Sequence, residues 1–107
     1  MSAEAARICR DAAAYLNSHG HCKGDLWDAE GRVCMWGALI RSDRRMSSTH
    51  QDLTLRAEVA ATIVRRLDTY EVDPVFPGGH DFNDLPITTG TDVQKFLLGV
   101  ADELEFA

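Results

Sequence analysis

At 107 residues and 11.8 kDa, 45% hydrophobic and 26% charged, the chain supports one small globular domain over 1–107 and leaves no room for a second core. A formal charge of −6 argues against direct nucleic-acid binding, which needs a basic face to displace counterions. No apolar run approaches the roughly 18–20 residues of a membrane span, no signal-peptide pattern opens the chain, and three cysteines make no disulfide scaffold. A reducing cytoplasmic setting is the expectation.

Ala5, Ile8, Ala12, Tyr15, Leu16 and His19 recur at helical spacing and predict a first helix, with Ser2 as its cap and Gly20 as its stop. Cys9 shares the side of Ala5, Ala12 and Leu16 and reads as a small core residue. Two short apolar runs then flank a turn at Gly31 in GDLWDAEGRVCM, the pattern of a β-hairpin. A short helix follows from near Cys34, with Gly37 permitting close packing.

Residues 42–48 form a polar connector. Thr49 with Asp52, or Ser48 with Gln51, offers a cap for the next helix. Its core face is Leu55, Val59, Ile63 and Leu67, with Ala60 and Val64 beside them, and its end is expected near Tyr70. Prolines 74, 77 and 86 forbid regular helix across 70–90. That stretch predicts a long ordered loop, tied down by Val72, Val75, Phe76, Phe82, Leu85 and Ile87 and closing over the hairpin and second helix. In the last helix, Thr91 and Gln94 form a capping box ahead of the stripe Val93, Phe96, Leu97, Val100, Ala101 and Leu104. The expected class is α+β, mainly α: three to four helices, one short hairpin after the first, and the long loop before the last.

Three short motifs resemble those of a family of small domains of unknown function from actinobacteria and their phages. They are His19, Gly20, Cys22 and Gly24; Gly31, Arg32, Cys34, Gly37 and Ala38; and Phe82, Asn83 and Asp84. His21 departs from the pattern, standing where the resemblance implies an aromatic residue. The resemblance implies no particular activity.

Charge is segregated along the chain. Residues 1–66 balance to +2, and residues 67–107 to −8, with Lys95 their one basic residue. The favoured reading is a non-enzymatic binding or regulatory protein, such as an actinobacterial or phage accessory factor. It would present the acidic loop and last helix to a protein partner. Binding residues on this reading are Cys22, Gly24, Trp36, Phe82, Asn83 and Asp84. An acidic nucleic-acid mimic is one alternative. A thiol-dependent hydrolase or transferase is another, with Cys34 at a helix N-terminus as nucleophile, His80 as base and Asp84 orienting it.

Asn83 and Asp84 equally suit a turn bonded to its own backbone, and Trp27 and Trp36 suit packing. His19, His21, Cys22, Cys34, His50, His80 and Asp81 lack metal-ligand spacing, so neither metal nor cofactor is expected. Nor is there a Gly-rich phosphate motif. If Trp27 pairs with Arg32 in the hairpin, Cys22 and Cys34 stand roughly 10 Å apart, too far for a disulfide.

Overall fold

A computed structural model describes residues 2–67 and 73–106. In chain order it contains α1 (Ala3–His19), α2 (Met35–Ser42), a short 3₁₀ turn (Arg44–Met46), α3 (Thr54–Arg66), a π-type turn (Gly79–Asn83) and α4 (Gly90–Phe106). Among the described residues no helix is long and apolar enough to cross a membrane.

α1 is the central helix. Ser2 caps it by accepting the Ala5 N–H, and Gly20, at φ 93°, ends it. It buries Ala5, Ala6, Ile8, Cys9, Ala12, Ala13 and Leu16, which is more than one stripe, because α4 and α2 both pack against it. The alanines and Cys9 permit close approach, and burial pushes the Cys9 thiol up to about 12. α4 runs antiparallel to α1, with the Ser2 N–H on the Leu104 carbonyl at 3.0 Å and Gly90 beside His21 at the other end. Val93, Leu97, Val100, Ala101 and Leu104 of α4 join Val33, Met35, Trp36, Leu39, Met46, Val59 and Ile63 in the core.

Three sequence-based expectations are corrected. First, the β-hairpin is absent: the described residues contain no strand, only the isolated bridges His21–Val33 (parallel) and Trp27–Val33 (antiparallel). The fold is therefore all-α rather than α+β. Val33 is claimed on both edges, by 20–22 and by Trp27, and Cys34 already caps a helix, so neither pairing can propagate. Glycines with positive φ at 20, 24 and 31 turn the chain between these contacts.

Second, the capping boxes are displaced. In the last helix the reciprocal bonds join Thr89 and Asp92 (Thr89 N–H to Asp92 Oδ2 2.9 Å, Asp92 N–H to Thr89 Oγ1 3.1 Å) rather than Thr91 and Gln94. α3 begins at Thr54, whose N–H is taken by Asp52 Oδ1 at 2.9 Å, and ends at Arg66. Tyr70 and Val72 lie outside the described residues. In α3, Val59 and Ile63 are buried as expected, with Thr62 beside them, whereas Val64 is 40% exposed.

Third, the cysteine register changes. Trp27 sits across from Val33, not Arg32, and Cys22 approaches from the other edge through its N–H bond to the Val33 carbonyl. The register from which their separation was inferred is thus replaced, while Cys22 and Cys34 are both free thiols.

An electrostatic clamp ties the end of α2 to the start of α1. Asp43 accepts from the Arg45 backbone (2.9 Å) and guanidinium (2.8 and 3.0 Å), Arg7 lies 4.0 Å away, and Arg45 also reaches Glu4. Arg45 holds the Asp43 carboxyl down at about 2, against the opposing effect of burial. This contribution to stability is complete above the ordinary value of 3.8 and disappears as pH falls through about 2. Asp43→Asn should cost about 1 kcal/mol at neutral pH after solvent screening. It should also flatten the acid limb of thermal-unfolding midpoints measured across that interval.

Candidate functional site

Asn83 organises the region where the loop meets the start of α2. It is fully buried at the end of the π-type turn. Its Oδ1 accepts the Met35 N–H (3.0 Å) and bonds His21 Nε2 (2.7 Å); its Nδ2 donates to the Cys22 carbonyl (3.2 Å) and to Asp84 Oδ1 (2.8 Å). All four hydrogen-bonding positions of the amide are thus occupied. The Met35 N–H and the Cys22 carbonyl fix which end is oxygen and which nitrogen. His21 must then donate from Nε2, so its Nε2-protonated form is the one bound.

The loop is anchored on either side of this amide. Trp36 Nε1 donates to the Pro77 carbonyl at 2.7 Å, and Gly78, at φ 85°, lies where a Cβ would meet Met35 Cε at 2.5 Å. Arg56 donates to the carbonyls of Met46 (3.0 Å) and Val75, and its guanidinium lies 4.5 Å over Trp36. Beyond the turn, Asp84 Oδ1 accepts the Gly24 N–H at 3.1 Å, and Lys23 donates to the Leu85 carbonyl.

These contacts frame a cleft of about 420 Å³ between the 24–27 segment, the start of α2 and the 73–84 loop. Of the residues singled out from sequence, Gly24, Cys34, Trp36, His80, Asn83 and Asp84 line it. Cys22 and Phe82 do not. The Cys22 thiol faces the carbonyls of Asp25 and Arg32 (3.5 and 3.4 Å), and Phe82 packs on Phe96 at 4.7 Å between ring centroids. Leu26, Met35 and Gly79 also line the cleft, as do Asp25, Trp27, Asp73 and Phe76, which were missed as site residues; the proline-bracketed Phe76 was the available signal. Asp81, on the same turn, has both carboxylate oxygens buried without a hydrogen-bond partner among the described residues.

Burial pushes the Asp84 carboxyl up, but Asn83, the Gly24 N–H and His80 outweigh it and hold it below its ordinary value. His80 Nδ1 is 3.3 Å from Asp84 Oδ2, on a side chain 82% exposed. Cys34 is the N-cap of α2, its sulfur accepting the Gly37 N–H at 3.3 Å. Burial raises this thiol, and the helix N–H groups lower it by less. Cys34 and His80 share the cleft, but among the described residues no hydrogen bond joins them. Nor does any group of three or more His, Cys, Asp or Glu there have metal-holding geometry.

Two outcomes follow from this geometry. Asn83→Ala strands the Met35 N–H and the Cys22 carbonyl, and should cost about 2–4 kcal/mol as a lower urea midpoint at unchanged slope. Iodoacetamide should alkylate Cys34 more slowly than a free thiol at pH 7, with a rate still climbing past its ordinary 9.0. A fast rate that levels off near neutrality would contradict the assigned burial.

No curated protein and no solved structure matches the chain. A family model described as a family of unknown function (DUF6197) matches residues 1–103, and the chain belongs to that family.

Proposed function

We propose that this protein is a non-enzymatic binding or regulatory protein that takes a basic segment of a protein partner into the cleft. The observation carrying this reading is the composition of the walls. Trp27, Trp36 and Phe76 stand beside Asp25, Asp73 and Asp84, and neither lysine nor arginine is among the described lining residues. Aromatic faces and carboxylates together suit a guanidinium or ammonium group. The fold uses the same chemistry internally, Arg41 taking one face of Trp27 at 4.2 Å and Arg56 one face of the buried Trp36 at 4.5 Å, so the half-exposed Trp27 and the carboxylates are what an incoming cation would meet.

The acidic C-terminal part contributes unequally to this surface. Asp102 and Glu105 pair with Arg10, and Glu103 with Arg65 and Arg66, whereas Asp73 and Asp84 line the cleft with no lysine or arginine on them, Asp73 accepting the Val75 and Phe76 N–H groups and Asp84 meeting Asn83, Gly24 and His80. This favours the loop over the last helix as the contact surface, and it leaves an acidic nucleic-acid mimic less free charge to present. A thiol enzyme has less support, because Cys34 is occupied as a helix cap and burial raises its thiol. In the fuller reading the protein is a cytoplasmic accessory factor of an actinobacterium or phage that engages a host protein.

Tryptophan fluorescence tests the core of the proposal. A tri-arginine peptide should quench it saturably at low salt, while tri-glutamate should not. Asp25→Asn or Trp27→Ala should weaken the effect several-fold, and added salt should weaken it further. Equal responses to both peptides, or to neither, would rule out a cation-selective cleft.

A further inference from the structure

Val33 accepts the Cys22 N–H at 3.0 Å and donates its own N–H to the Gly20 carbonyl at 3.0 Å, the bonding pattern of a parallel pair with His21 opposite Val33. The pairing ends there, but the Cys22 backbone bonds the residue that precedes Cys34, so the two cysteines are neighbours across it. In a parallel pair such neighbours share a face, and adjacent strands run about 4.8 Å apart. That spacing falls within the roughly 4.4–6.8 Å between Cα atoms that a disulfide spans. Cys34 is extended there, at φ −83° and ψ 179°. The two sulfurs are engaged separately, Cys22 by the Asp25 and Arg32 carbonyls and Cys34 by the Gly37 N–H. Joining them requires each sulfur to leave these partners.

We propose that Cys22 and Cys34 form a redox modification site, closing to an intramolecular disulfide by exchange with a small-molecule disulfide. One cysteine, as thiolate, attacks the reagent's S–S bond and releases the first reagent thiol. The other cysteine attacks the resulting mixed disulfide and releases the second. The two protein thiol protons end on the released thiols; the protein loses two electrons and the reagent gains them. Cys9, fully buried on the core side of α1, stays out of the exchange. Closure takes the Cys34 sulfur off the Gly37 N–H, so oxidation alters both the first turn of α2 and the cleft wall that Cys34 forms.

Burial pushes the Cys22 thiol up to about 11, with the neighbouring Cys34 adding to the effect, so exchange is best followed at mildly alkaline pH. The reduced full chain is incubated with oxidised glutathione, acid-quenched and analysed by intact mass. It should lose the mass of two hydrogens, and titratable thiols after denaturation should fall from three to one. Trypsin should release peptides 11–23 and 33–41 as one linked species. Cys22→Ser and Cys34→Ser should each abolish the two-hydrogen loss, and serine at 34 can still cap α2. Three thiols remaining in the wild type, stable glutathione adducts alone, or a cross-link between two chains would each overturn the proposal.

Discussion

The side-chain amide of Asn83 is the interaction on which the rest of the structure depends. It reaches Met35, 48 positions away, and His21, 62 positions away, from a fully buried site. A buried amide left partly unpaired is costly, and this one is fully paired only when the 20–22 segment, the start of α2 and the loop are all in place. α2 is an eight-residue helix, too short to persist alone. Its first turn receives Asn83 on the Met35 N–H and the Cys34 sulfur on the Gly37 N–H. These two side chains satisfy donors that every helix N-terminus leaves open.

The same arrangement explains why the cleft exists. The loop is held to the start of α2 by the Trp36 indole and Asn83, to α3 by Arg56 and to the 24–27 segment at Gly24, and the cleft lies between these supports. Close approaches set the shape of the walls. A Cβ at Gly37 would fall 1.8 Å from the Leu26 carbonyl oxygen, so α2 can lie against the 24–27 segment only with glycine at that position. Aromatic rings and carboxylates then face the same volume, while the arginines nearby are spent on indole faces and backbone carbonyls.

The segregated charge of the sequence is largely resolved by tertiary pairing. Arginines of α1 and α3 reach Asp102, Glu103 and Glu105 on α4, and Arg45 joins Glu4 to Asp43. Exposed pairs of this kind contribute little stability each. Their main effect is on the surface field, since they neutralise α4 and leave the loop side of the acidic segment facing the cleft.

Sequence alone determined the features that are encoded locally. The periodicities of α1 and α4, the Ser2 cap, the Gly20 stop and a helix starting at Cys34 all follow from residues within a turn or two of one another. Of the site residues expected from sequence, Gly24, Cys34, Trp36, His80, Asn83 and Asp84 line one cleft, whereas Cys22 and Phe82 do not. Asn83, however, reads locally as a turn former, and nothing near it in sequence indicates that its partners are His21, Cys22 and Met35. The cap expected at Thr91 and Gln94 forms instead at Thr89 and Asp92, a pair with the same spacing two residues earlier. Only the tertiary structure decided these points, and with them the fate of the hairpin. Backbone pairing is non-local, and Val33 had to satisfy two edges at once, so the hairpin predicted from two apolar runs around Gly31 was overruled. The same pairing bonds the Cys22 backbone to the residue next to Cys34, a neighbourhood that no spacing within the chain could reveal.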